Sequence, residues 1–430
     1  MEDNKENKLK PKKRKWLRRF VFMAIIISIL FEVFLLFFAT PVLKKYMQEK
    51  VHQNTKGLYS IDFDKISIEL GSRRISLDNF KLIPDTVVYN SLLNTGEAKS
   101  AIYQIHARSI ELKGTRFYKL LFTRQFKAKE LVIKNPVVKL KKLPSKKDKT
   151  SANRDFIHKD LFPTLEKHLD HIELRYLKLE NGKFHLSLNK DSVRNTTHYG
   201  FISVKLDHFL LNKKEFEQKT RLFYADDVQI LVDDYRVKLG DGIHVMFADT
   251  LYVSTKESLL KAKTVGIKPD IELPQYLSGL KSNYYYINAP EIQFKDFNIS
   301  NLYFNQDIEI QSITVNSPDI KLINKLIGKK TSFNNESKEI DFYKLMKKKL
   351  KSVSIKTLDF TNAKFKFYYN SHLETPLYEI GNYNLSLTGF FLDQYAKDDQ
   401  SRILYSKNIQ LNISNFLAHL KTNSHLLSAG

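Results

Sequence analysis

Leu177–Leu188 reads LKLENGKFHLSL, and Leu358–Tyr369 reads LDFTNAKFKFYY. Both alternate apolar and polar residues on either side of an Asn, as half-buried strands do. An Asn-Gly pair between two such runs signals a strand, a tight turn and a second strand. The echo carries Asn362-Ala363 instead, so a strict two-residue turn is not what the design retains. What recurs is Leu177, Asn181 and Phe184 against Leu358, Asn362 and Phe365. The stretch is read as a rung of a repeated, one-sided sheet.

The two stretches lie 181 residues apart, and residues 171–249 can be laid on 352–430 at that offset without a gap. Gly200 falls on Gly381, Arg221 on Arg402, Tyr224 on Tyr405 and His244 on His425. The apolar pattern coincides as well: Val228, Ile230 and Val232 match Ile409, Leu411 and Ile413. With small slips the match extends to Pro136 with Pro318, Ala107 with Ala289 and Pro84-Asp85 with Pro269-Asp270. Two β-rich units are expected, 58–248 and 249–430, stacked lengthwise. The first copy continues into Thr250–Ser254 where the second stops, so Gly430 is expected at a repeat seam of a longer protein.

The chain has 430 residues, 12 histidines, no cysteine and a net charge of +23. The missing cysteines exclude disulfides and thiolate metal sites. The lysines are spread along the chain and alternate with apolar residues. A solvated strand face accounts for them better than a phosphate-binding patch does, and no nucleic-acid partner is expected.

Residues 8–19 carry eight basic side chains, and Phe20–Ala39 follows as twenty residues with one charge, Glu32. A helix of that length spans roughly 30 Å of hydrocarbon. Phe20, Ile26, Leu30, Phe34 and Ala39 would face lipid or packed neighbours in an uncleaved signal anchor over residues 20–40. The basic cluster (residues 1–19) places the N-terminus in the cytoplasm and the bulk of the chain on the far side of the membrane. Glu32 is costly at mid-bilayer. It is either a contact to another membrane protein or an acid tolerated by a very apolar helix. Residues 41–57 form an exit helix and linker, with Val42, Leu43, Tyr46, Met47 and Val51 at helical spacing.

Alternation then sets in at Leu58–Leu70 and Arg73–Ile83 and is stopped by Pro84-Asp85. Short strands are expected at Ser109–Leu112, Leu131–Leu140, Ile202–Leu211, Val228–Leu239, Ile308–Leu322 and Ile409–Phe416. Asp160–His171 and Asp341–Lys351 have helical spacing. Pro144–Arg154 and Lys329–Lys338 read as exposed loops.

No constellation with catalytic spacing is present: there is no Gly-rich phosphate loop, no GxSxG and no HExxH. His158, His168 and His171 are the tightest histidine group, but their counterparts Glu339, Lys349 and Ser352 do not preserve it. His244 and His425 recur among apolar residues, which suits a structural histidine. Asp226-Asp227 and Asp233-Asp234 could hold a cation, yet Lys407-Asn408 and Ser414-Asn415 stand opposite them. Solvated turns are the better expectation there. No catalytic, cofactor or metal residue is assigned.

A basic N-terminus, one anchor, a short exit helix and then kinked strand pairs resemble the AsmA-like family of bacterial envelope proteins. That family belongs with TamB-like and bridge-type lipid-transfer proteins. The segments carrying the likeness are LVIKNPVVKL (131–140), LKLENGKFHL (177–186), ITVNSPDIKL (313–322) and LDFTNAKFKF (358–367). The resemblance implies an inner-membrane anchor, a periplasmic β-groove with an apolar lining, and a part in phospholipid movement and outer-membrane assembly. The expected fold is mostly β. A transmembrane helix precedes an elongated, internally duplicated antiparallel region, either a twisted groove or sandwich-like repeats, with a few short helices. The expected function is non-enzymatic binding or conduction of phospholipid acyl chains. The alternative is an envelope interaction protein with closed β-domains.

Overall fold

The computed structural model describes Met23 and residues 41–69, 71–95, 101–116, 123–142, 169–190, 193–218, 221–239, 241–270, 283–324, 350–369, 375–396, 399, 401–419 and 426–429. Strands dominate. β1 (Tyr59–Asp62) and β2 (Lys65–Glu69) share the first rung, followed by β3 (Arg74–Pro84) and β4 (Ala101–Lys113). β5 (Gln125–Lys134) and β6 (Val137–Lys142) share the next. Then come β7 (His171–Lys190), β8 (Val193–Asn212), β9 (Asp227–Lys238), β10 (His244–Ser254), β11 (Leu259–Pro269) and β12 (Tyr284–Lys295). β13 (Asp307–Asn316) and β14 (Asp319–Asn324) again share a rung, before β15 (Ser352–Tyr369), β16 (Tyr378–Leu392), β17 (Asn408–His419) and β18 (Leu426–Ala429). Each rung pairs with the rungs before and after it in the chain, so the strands form one sheet laid down in sequence order.

The duplication is built into this sheet rung by rung. The split rung β5/β6 recurs as β13/β14, and both lead into a parallel pairing, with β7 and with β15. The register is the same: Leu177 opposes Leu206, and Leu358 opposes Leu387. Backbone conformation repeats too. Gly57 and Gly242, Asn79 and Thr264, Asn135 and Ser317, Asn181 and Asn362, His208 and Gly389, and Tyr224 and Tyr405 all have positive φ. Among the described residues, Lys56 is the one left-handed residue without such a counterpart. Left-handed backbone costs an L-residue roughly 1–2 kcal/mol, so its recurrence at offsets of 185, then 182, then 181 residues marks a shared backbone plan. By this register β10 heads the second copy, and it runs across the expected 248/249 boundary.

Two expectations are corrected. Leu177–Leu188 contains no hairpin turn: it lies inside one strand, β7. Asn181 (φ 53°) is the extra residue of a β-bulge, with the register shifting between Leu179 and Gly182. The same shift occurs between Phe360 and Ala363. Asn tolerates left-handed φ in a turn and in a bulge alike, so its presence alone does not separate the two. Nor is the sheet purely antiparallel. β7 begins beside the start of β5, and β15 begins beside the start of β13. Connections of a dozen or more residues permit the parallel joints β5/β6–β7 and β13/β14–β15.

Helix α1 covers 41–54, in agreement with the expected exit helix. α2 (Thr86–Asn94), α3 (Lys213–Gln218) and α4 (Ile299–Asn305) were not expected. Asp85, read as a strand stop, is also the N-cap of α2 and accepts from the Val87 and Val88 amides. The anchor at 20–40 lies outside the described residues except for Met23, as do most of Asp160–His171, Asp341–Lys351 and both expected loops. Among the described residues no helix is long and apolar enough to cross a membrane.

Candidate functional site

Following the register across the sheet produces an aliphatic row. It runs Ile66, Leu77, Ile110, Ile133, Leu179, Val204, Ile230, Val253, Leu260, Phe294, Ile313, Leu358, Leu387 and Ile409. Every rung from β2 to β17 contributes one member, and none is polar. A second row accompanies it through Ile202, Val232, Leu251, Ala262, Ile292, Val315, Phe360, Leu385 and Leu411. Cross-strand apolar neighbours sit about 4.5–5.5 Å apart, so the stripe is continuous over roughly 60 Å of sheet.

The stripe is only in part a filled core. Ile66, Ile313 and Leu387 are buried, but the other members of the first row are half-buried. A second packed layer would bury them fully. Closed packing is found near the strand ends and again on the stripe, where Ile313 and Val315 lie in a buried cluster with Leu260, Ile292, Phe294, Leu358 and Phe360 packed against it. Leu174, Phe209, Leu211, Leu222 and Tyr224 form one buried cluster, and Phe297, Ile310 and Ile355 belong to another. Ile299 of α4 packs against both. Tyr303 of the same helix meets Phe223 edge-on at 5.5 Å.

The alternate residues are mostly polar, with Val132, Leu231 and Leu259 as apolar exceptions. In the first copy Glu111 bonds Lys134 at 2.6 Å and pairs with Arg74 and Lys113, while Glu130 pairs with Lys113 and Lys178. Burial raises the Glu111 carboxyl, but the Lys134 hydrogen bond and the charges of Arg74, Lys134 and Lys113 outweigh it, and the net shift is downward. Hydrogen bonds from Lys127 and then from His171 hold the Glu173 carboxyl at about 2. These lysines belong to a solvated, ion-paired strand face, as their alternation implied.

The recurrent Leu177 and Leu358 lie in aliphatic rows, opposite Leu206 and Leu387. Asn181 and Asn362 form the bulge. Phe184 and Phe365 lie beyond it, opposite Val138 and Ile320, in a further apolar row. The inserted residue resets the alternation, so Leu179 and Phe184 both fall in apolar rows five positions apart. Phe20, Ile26, Leu30, Glu32, Phe34, Ala39, His158, His168 and His425 lie outside the described residues.

His171 bonds Glu173 at 3.1 Å. His244 is buried: the Tyr285 amide donates to Nε2, which leaves Nδ1–H to donate to Asp241. This is a structural histidine. Asp227 corrects the expectation of a solvated turn. It is 3% exposed and accepts from Gln229, Thr255 Oγ1 and the Lys256 amide, which fastens the β10–β11 turn to β9. Among the described residues no three His, Asp or Glu side chains gather as a metal site.

No protein-family model and no curated protein matches the chain. One matching solved structure is titled "Crystal structure of Sex pheromone staph-cAM373 precursor". It is 9% identical, with 86% of this chain and 89% of that chain covered, at a TM-score of 0.16. Any functional reading therefore rests on the stripe itself.

Proposed function

We propose that the half-open aliphatic stripe binds lipid acyl chains, and that the protein holds or conducts phospholipid along its sheet without catalysing a reaction. The observation that carries this reading is the unbroken apolar row from Ile66 to Ile409 beside a mostly polar alternate set. Acyl chains need no directional partner. Burial contributes about 0.8 kcal/mol per methylene, and a continuous row offers equivalent positions along its length. In this reading the chain is an AsmA-like envelope protein. Residues 20–40 anchor it in the inner membrane, the sheet stands in the periplasm, and phospholipid is its cargo for outer-membrane maintenance. Glu32 would meet a membrane partner.

The test is lipid extraction from the full chain purified in mild detergent, followed by mass spectrometry. Bound phospholipid is expected, reduced by Val253→Asp with Leu358→Asp but not by Lys178→Asp. A lipid-free preparation, or lipid content indifferent to the row, would refute the reading.

A further inference from the structure

Charge is distributed unequally across the sheet. The left-handed residues, from Asn79 on β3 to Asn415 on β17, form a line that crosses the rungs. Leaving out the line itself, the strand residues on the side of the Ile66–Ile409 row include thirteen lysines and arginines and thirteen acids. Beyond the line they include thirteen lysines and arginines and three acids. A solvated, ion-paired strand face accounts for the first side and not for the second.

The cations beyond the line are neighbours. Val245 opposes both Lys238 and Lys268, and farther along Lys321 opposes Lys366. Like charges directly opposite are destabilising. Lys238 pairs with Asp270, and Lys366 with Glu379. Among the described residues no carboxylate forms an ion pair with Lys139, Lys183, Lys268, Lys321 or Lys364. Aromatic rings steady three of them instead. Lys183 Nζ lies 4.7 Å from the Phe201 ring centre, Lys268 Nζ 5.4 Å from that of Phe247, and Lys321 Nζ 4.9 Å from that of Tyr368. A ring holds an ammonium without neutralising it. The unpaired lysines also recur: Lys139 falls on Lys321, and Lys183 on Lys364.

We infer that this basic half of the sheet binds a flexible polymer of repeating phosphates. The band runs from β6 to β15, roughly 40 Å across the rungs. Over that distance the ordinary twist between strands turns the face by roughly 160–200°. A flat bilayer or a rigid folded partner would touch only part of it, whereas a flexible chain can follow it throughout. Eleven of the thirteen cations are lysines. Lysine meets phosphate as a point charge, while the arginine fork is the better match for carboxylates. Nucleic acid is disfavoured, because ammonium groups already occupy the rings on which its bases would stack.

The probe is fluorescently labelled long-chain inorganic polyphosphate, titrated into the full chain in mild detergent. Saturable binding is expected. Lys183→Gln with Lys268→Gln and Lys364→Gln should weaken it at least about tenfold and lower the slope of log affinity against log salt by about 2. All three side chains are exposed, and circular dichroism verifies that the variant folds. Lys129→Gln with Lys263→Gln and Lys356→Gln, also exposed but on the other side of the line, should leave binding nearly unchanged. Equal weakening by the two triple variants would overturn the assignment, because net charge alone would then be acting. Absence of saturable binding, tighter binding of single-stranded DNA of matched charge, or binding to phosphatidylglycerol nanodiscs and not to polyphosphate would overturn it as well.

Discussion

The two copies share a backbone and differ in what holds it. Arg221 and Arg402 both donate to the carbonyl of a left-handed residue, His208 or Gly389. The carboxylate steadying the arginine differs: Asp226 in the first copy, Asp399 in the second. The polar strand face diverges further. The Glu111 and Glu130 of the first copy's ion network fall on Gln293 and Ser312, and Lys178 and Lys205 fall on Asp359 and Ser386, with Ser386 Oγ donating to Asp359 at 2.6 Å. The aliphatic rows and the left-handed positions run through both.

The sharpest way to break the comparison is at Gly200 and Gly381. A Cβ on Gly200 would lie 1.8 Å from the Asp233 carbonyl oxygen, whereas on Gly381 the nearest atom is Asn415 Cβ at 3.4 Å. Gly200→Ala should cost on the order of 3 kcal/mol, the upper end of overpacking penalties. Gly381→Ala should stay within about 0.5 kcal/mol. Urea unfolding measures both, and equal costs would mean the copies are closer in backbone than described.

Next is Asp227 against Asn408. Asp227→Ala leaves the β10–β11 turn amide and hydroxyl unpaired and should cost about 2 kcal/mol. Asn408→Ala loses one contact to Thr388 at 3.3 Å and should cost under about 0.5 kcal/mol by the same denaturation.

The smallest effect is electrostatic. Because the folded Glu173 carboxyl is depressed to about 2, its contribution is complete above its ordinary value near 4.5. It is lost as pH falls from there toward about 2. The counterpart of Glu173 is Ser354, with Ser352 in place of His171. Hydrogen exchange between pH 5 and pH 2.5 should show the first copy losing protection before the second. Glu173→Gln should remove the difference, and an unchanged order of loss would contradict the assignment.

Much of this was legible in the sequence. Leu177, Phe184 and their echoes identify the apolar face because alternation is a local property of strands. Pro136 and Pro318 mark the breaks in the split rungs, since proline cannot donate to a ladder. The bulge at Asn181 was not legible as such, because an Asn in left-handed backbone serves a turn equally well. The parallel joints were hidden for a related reason: alternation does not depend on the direction of the neighbouring strand. Asp227 was misread because its partners, Thr255 and Lys256, lie two strands on. The aliphatic row emerges only when register links residues as distant as Ile133 and Leu179.

The central claim is that the row, and not the alternate face, holds acyl chains in both copies. The direct measurement places a photo-crosslinking residue at Leu179, Val253 or Leu358, and at Lys178, Tyr252 or Asp359 as neighbours of opposite parity, in cells or in phospholipid vesicles. Covalent phospholipid adducts at the three row positions and none at the three neighbours are the predicted result. Adducts equally frequent on both sets, or absent from the row, would contradict the account.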